Sequence, residues 1–225
     1  MKTARAQRRS AWHVAALVGS LLVVVAVQLL ALSTSGARSR KRHVKISYYT
    51  IADQQDFPGG SQVTLYDRSC RVLAKVGERF AKRLRLEGTG RLRDGRLLNV
   101  HGYRSCHGRR RVCFRFLSPA FRRGRAASGR PLLPLRTIAV DPAVVAHGAV
   151  VFLPRFAGLS IPRFGNLGGF VHDGCFRADD SGGAIRGQRI DIFAGSRRLW
   201  RWLERQIPTH SWLRIARGRC KPADR

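Results

Sequence analysis

The sequence predicts a mainly β protein, a small β-barrel with only a few helices, preceded by an N-terminal transmembrane helix. Three observations carry this. Short runs rich in β-formers recur between Gly and Pro turns, strong helical periodicity is rare, and one long uncharged run stands near the start of the chain. A chain of 225 residues allows one domain of roughly 150 to 180 residues plus an N-terminal appendage.

Residues 1–13 carry Lys2, Arg5, Arg8 and Arg9, and the nineteen residues from Val14 to Leu32 follow without a charge. At about 1.5 Å per residue this run spans roughly 28 Å, close to the hydrocarbon core of a bilayer. A cleaved signal peptide has a shorter apolar stretch, about 7 to 15 residues. The expected organisation is a cytoplasmic segment 1–13, an uncleaved anchor 14–32, a linker 33–43 and a periplasmic domain 44–225. Ser35-Gly36-Ala37 is the alternative, a cleavage site.

Within the domain, Val44-Lys45-Ile46-Ser47-Tyr48-Tyr49-Thr50 alternates and reads as a first strand. Asp56-Phe57-Pro58-Gly59-Gly60 is a turn. Val72, Leu73, Val76, Phe80 and Leu84 recur at helical spacing, which predicts an amphipathic helix of about fifteen residues. Glu87-Gly88-Thr89-Gly90 should end it, because two glycines in three positions break a helix. Glu87 is one of few acids outside the densest acidic cluster, and its glycine neighbours let a ligand approach. Leu92 to His101 and Arg111 to Leu117 follow as strands around Asp94-Gly95, then a basic, Gly-rich loop over 118–132. Thr137 to Val140 is an apolar strand ending at Asp141-Pro142, and Ala149 to Leu153 is another after an Ala146-His147-Gly148 turn.

All five cysteines, at 70, 106, 113, 175 and 220, follow the apolar run, as suits an exported domain with disulfides. Cys106 and Cys113 are near enough for a local bridge, Cys175 with Cys220 would tie the C-terminus down, and Cys70 is then left over. Sequence does not fix the pairing. No Cys-x-x-Cys occurs, and no metal or other cofactor is expected.

The net charge of +30 first suggests a nucleic-acid partner, but thirty-seven of the forty-three basic residues are Arg and run along the whole chain. No C2H2 spacing, P-loop or RNP-type motif supports nucleic acid, which is not expected as a partner, while a polyanion in general stays open. The acids say more. Thirteen occur in the chain, and three fall within Ala178 to Asp191. There Asp179-Asp180-Ser181-Gly182-Gly183 forms a turn that leads into a strand through Ile190 and Ile192, so Asp180 and Asp191 can face one cleft.

Ala139-Val140-Asp141-Pro142, a His-Gly turn and Ala178-x-Asp180-Ser181-Gly182-Gly183-Ala184-Ile185-x-Gly187-x-x-Ile190-Asp191 together resemble the three-aspartate ("3D") domain of the membrane-bound lytic transglycosylase A family. The resemblance covers about 136–195 and reaches back loosely to Tyr49 and Thr50. It implies a six-stranded double-psi β-barrel that binds peptidoglycan glycan strands and cuts the bond between N-acetylmuramic acid and N-acetylglucosamine, leaving a 1,6-anhydro end. The three family aspartates fall on Asp141, Asp180 and Asp191, with Asp191 as the catalytic acid. Tyr49, Thr50, Glu87, Ser181, Gly182, Gly183 and Arg186 are the candidate substrate-binding residues, the arginine for peptide-stem carboxylates. The chemistry is consistent: a nearby carboxylate raises the pKa of an acid that must stay protonated near neutral pH, and the sugar's own 6-hydroxyl can act as nucleophile. The competing expectation is a non-catalytic module that binds peptidoglycan or another polyanion in the envelope.

Overall fold

The structure is a computed structural model and describes residues 43–216 and Cys220. The predicted anchor 14–32 lies outside the described residues, among which no helix is long and apolar enough to cross a membrane. The described chain is mainly β with two α-helices, as the sequence predicts.

Two six-stranded sheets dominate. The first contains β1 (His43–Tyr49), β8 (Thr137–Val140), β9 (Val150–Phe152), β12 (Cys175–Asp180), β13 (Arg189–Phe193) and β14 (Trp212–Arg214), in the order β14-β1-β13-β8-β12-β9. Its strands are mixed: β1 with β13 and β8 with β12 run parallel, while β8 with β13 and β9 with β12 run antiparallel. The sheet curls until its edges meet, because Ala216, just past β14, bridges to Phe152 of β9. The alternation seen in the sequence sends Ile46, Ile138, Val140, Phe176, Ile190 and Ile192 inward, all nearly inaccessible. The helix α2 (Arg197–Gln206) adds Leu199 and Leu203, one turn apart, to the same core. The Ser196 hydroxyl starts that helix by accepting from the Leu199 N–H at 3.2 Å.

The second sheet joins β2 (Ala52–Asp53), β3 (Gln62–Tyr66), β4 (Val72–Gly77), β5 (Thr89–Arg91), β6 (Leu97–Cys106) and β7 (Arg109–Phe116), in the order β2-β5-β6-β7-β3-β4. Helix α1 (Glu78–Glu87) covers it with Phe80, Ala81 and Leu84. A small ribbon, β10 (Ser160–Ile161) with β11 (Phe170–Val171), completes the elements.

Three sequence expectations are corrected. The fifteen-residue helix is half strand: Val72 to Gly77 pair antiparallel with β3, and the helix starts only at Glu78. Valines at 72 and 76 suit either period, and the β3 partner decides for the sheet. The switch needs a glycine, since a Cβ on Gly77 would lie 2.5 Å from the Gly59 carbonyl oxygen. The predicted stop holds, with Gly88 left-handed at φ 75° and its N–H bonded to the Leu84 carbonyl. The strand expected from Leu92 begins at Leu97, because Leu92 and Arg96 close a turn through Gly95. The disulfides are Cys70–Cys106 and Cys175–Cys220, and Cys113 is the free, buried thiol. Cys106 and Cys113 share the β6–β7 hairpin, but Cys106 faces Arg109 at its tip, while Cys113 lies one residue past the Tyr103–Val112 pair and packs inward. That offset is too large for a bridge. Cys175 with Cys220 agrees with the expectation.

Candidate active-site groove

The sheet register sets four side chains in one row. Ser47 pairs with Asp191, Asp191 with Ala139, and Ala139 with Asp180. Paired residues of neighbouring strands point to the same face, so both aspartates look out from one level of the sheet with Ala139 between them. At about 4.8 Å per strand their backbones stand roughly 10 Å apart, and a methyl group leaves the space between them open.

Ala139, Asp180 and Asp191 of this row line a groove of about 1130 Å³, with Ser47 beside it. The first sheet supplies Tyr49, Ala139, Asp180 and Asp191, the turn after β12 supplies Ser181, Gly182 and Gly183, and the second sheet and α1 supply Glu87, Asn99 and Arg115. Among the described residues, three buried side-chain polar atoms have no hydrogen-bond partner: Asp191 Oδ1, Trp200 Nε1 and Arg115 Nε. All three residues line this groove. Buried polar groups are nearly always paired, so one acceptor and two donors left open in one cleft mark a place prepared for a polar ligand.

Each acid has its own electrostatics. Burial pushes the Asp191 carboxyl up to about 6, against the Ser47 hydroxyl and the charge of Arg189, with the Asp180 charge adding to the rise. Burial also raises Asp180, although Tyr49 donates to Oδ2 at 2.7 Å and the N–H groups of Ala127 and Ser181 donate to Oδ1 at 2.9 and 3.0 Å. Three donors orient this carboxylate, and they tie it to the basic loop 118–132 through Ala127. Glu87, at the C-terminal end of α1 with a side chain 4% exposed, is pushed by burial up to about 7. Its ion pair with Arg83 and the Thr50 N–H oppose the rise, and the Asp191 charge adds to it. The groove thus holds three desolvated carboxyls and none of the free solvation that keeps surface acids ionised.

The remaining candidates lie elsewhere. Asp141 is outside the groove: its Oδ2 accepts from the Gly187 N–H at 2.8 Å and its Oδ1 from the Ala143 N–H at 3.1 Å. These bonds hold its pKa below the usual carboxylate range and pin the 182–187 turn to the end of β8. Arg186 sits by Asp141, also outside the groove, and Thr50 lines a smaller neighbouring pocket. Ser47, Ala139, Arg115 and Trp200 were missed by sequence reasoning. Only the alternation of the 44–50 strand, which sets Ser47 on the face opposite Ile46, carried any signal. Among the described residues no cluster of His, Cys, Asp and Glu is arranged to hold a metal ion.

A curled mixed sheet carrying paired aspartates over a groove defines the class, and residues 136–200, less than a third of the chain, match the 3D domain. The chain is a 3D-domain protein with an MltA-like fold. The crystal structure of E. coli MltA with bound chitohexaose superposes with a TM-score of 0.50 at 16% identity, over 77% of this chain and 71% of that one. The lytic transglycosylase LtgG of Burkholderia pseudomallei gives 0.42 at 21% identity over 77% and 71% of the two chains. A membrane-bound lytic murein transglycosylase from Agrobacterium tumefaciens gives 0.44 at 16% over 78% and 72%. Comparison with curated proteins gives no match.

Proposed function

We infer that the protein is a peptidoglycan lytic transglycosylase that cleaves the β-1,4 bond between N-acetylmuramic acid and N-acetylglucosamine, with the first sheet acting as a double-psi barrel. The observation that carries this is the Asp191 carboxyl, buried in a residue that lines the groove, raised to about 6 and unpaired at Oδ1. An acid poised near the working pH can give its proton to the leaving glycosidic oxygen. As the C1–O4 bond breaks, the muramoyl 6-hydroxyl attacks C1. Its proton passes to the Asp191 carboxylate, restoring the carboxylic acid, and a 1,6-anhydro end remains. No water-activating partner is needed, in contrast to inverting hydrolysis. Burial does most to hold the proton on Asp191; Asp180, held by Tyr49 and two backbone N–H groups, adds to this by its charge and orients the sugar. Asp141 acts at one remove by positioning the Gly182-Gly183 turn. The likeness to E. coli MltA, whose structure holds chitohexaose, supports a sugar polymer in the groove.

The two disulfides fit a domain that folds in an oxidising, extracytoplasmic compartment. In this reading residues 14–32 anchor it to the inner membrane, facing the periplasm. The test is release of soluble fragments from purified peptidoglycan by wild type and Asp191→Asn. The variant should lose about 10²-fold or more in rate with its fold intact. Cleavage at the wild-type rate by a folded Asp191→Asn protein would overturn the assignment.

A further inference from the structure

The β6–β7 hairpin rises from the groove and ends in a dense basic tip. Asn99, Val100, His101 and Tyr103 of β6 line the groove, and the strand then continues outward to Cys106. The tip is a two-residue turn of His107 and Gly108, both left-handed at φ 52° and 73°, the turn whose twist suits a tight hairpin. Around it stand Arg104, Arg109, Arg110 and Arg111, and among the described residues none of the four makes an ion pair. Arg104 sits directly opposite Arg111 in the ladder. Like charges facing across two strands repel, so folding bears a cost here that the free protein does not recover.

The tip is also stiff. The Cys70–Cys106 disulfide ties its end to the neighbouring 67–70 turn. The Arg110 guanidinium lies 4.9 Å from the centre of the exposed Tyr103 ring, and that of Arg111 lies 5.4 Å from the Tyr66 ring. A guanidinium held over a ring keeps N–H donors for carboxylates; Arg111 gives its Nε–H to the Cys106 carbonyl at 3.4 Å, which fixes it further and leaves its terminal N–H groups for a ligand. Repelling arginines, pre-oriented and fixed at the end of a groove wall, are arranged for a ligand with repeated negative charge.

We propose that this hairpin extends the glycan groove and binds the free carboxylates of the peptide stems carried along the strand, so that the protein prefers stem-bearing peptidoglycan to bare glycan. The proposal rests on the transglycosylase reading. It also reassigns the stem-reading task from Arg186, which lies outside the groove, to arginines that continue the groove wall.

The experiment compares co-sedimentation of the full chain with intact peptidoglycan and with peptidoglycan stripped of its stems by an amidase, over a salt series. Arg104→Gln/Arg109→Gln/Arg110→Gln is set beside a control with the same charge change at exposed sites away from the hairpin, Arg155→Gln/Arg201→Gln/Arg205→Gln. The hairpin variant should bind intact material about tenfold more weakly, the order expected for three exposed charge contacts. Its salt dependence should be shallower, its loss on stripped glycan, which keeps only the lactyl carboxylate that the amidase exposes on each muramic acid, should be smaller than on intact material, and its melting temperature should be equal or higher. The control should bind as wild type does. Equal loss in both triple variants would reduce the effect to net charge and overturn the proposal. So would equal wild-type binding to intact and stripped glycan, or retention on anionic-lipid vesicles that accounts for the whole loss. Cleavage by wild type is read separately on the same material, so failure of the stem preference leaves the catalytic assignment testable by itself.

Discussion

Replacing Asp191 by Asn should make the protein more stable at neutral pH while removing its activity. Burial raises this carboxyl from 3.8 to about 6, so the folded state holds its proton more tightly than the unfolded chain does. With a raised folded pKa, the favourable contribution is complete below about pH 4 and is lost as pH climbs through 6. At pH 7 and above the protein bears the whole cost of a desolvated charge. About two units at 1.36 kcal/mol each gives an upper value of roughly 3 kcal/mol. An uncharged amide avoids that cost. For a domain of this size each kcal/mol moves the melting temperature by roughly 2–4 °C, so Asp191→Asn should melt above wild type at pH 7.5 by up to about 6–12 °C. The assay is thermal or urea unfolding of both proteins from pH 3.5 to 8, reported as the difference between them, which cancels the titration of every group not coupled to Asp191. The advantage of the variant should grow between pH 4 and 6 and then level off. A difference that stays flat with pH would mean that Asp191 is not desolvated, and the physical basis for its role as acid would fall with it.

Three further outcomes follow from the same geometry. Glu87→Gln removes a neighbouring negative charge and frees Arg83, and both changes favour ionised Asp191, so the alkaline limb of the rate profile should move below about pH 6; an unmoved or raised limb contradicts the coupling. Asp141→Ala loses two N–H partners at Ala143 and Gly187 and should melt lower, with kcat on saturating peptidoglycan largely kept; a loss of kcat as deep as that of Asp191→Asn would return Asp141 to the chemistry. Alkylation in denaturant without reductant should label Cys113 alone, and recovery of labelled Cys106 with Cys113 protected would refute the pairing.

The sequence disclosed the first sheet better than the second. Strands such as β1, β8 and β13 are short, apolar in alternation and bounded by Gly, Pro or Asp, so period and punctuation agree. At Val72 to Leu84 they conflict, because the apolar spacing fits a helix while the valines and Gly77 fit a strand and a sharp junction, and only the pairing with β3 resolves it. The same limit governs the site. Asp180 and Asp191 stand in a fourteen-residue cluster of acids and glycines that local reading can find. Ser47, Ala139, Trp200 and Arg115 come from four separate parts of the chain and meet only through sheet register and the packing of the two sheets, which no local pattern encodes. Asp141 shows the converse limit of local reading. It shares the motif of the other two aspartates, yet its carboxylate caps a turn instead of facing the groove.

The most direct measurement is mass spectrometry of the ends formed when wild type digests purified peptidoglycan in heavy-oxygen water. Intramolecular attack by the 6-hydroxyl predicts 1,6-anhydromuramoyl ends that carry no label and resist borohydride reduction, all lost with Asp191→Asn. Labelled, reducible ends would show that water is the nucleophile, and an undigested polymer that the protein still binds would leave a binding module in place of an enzyme.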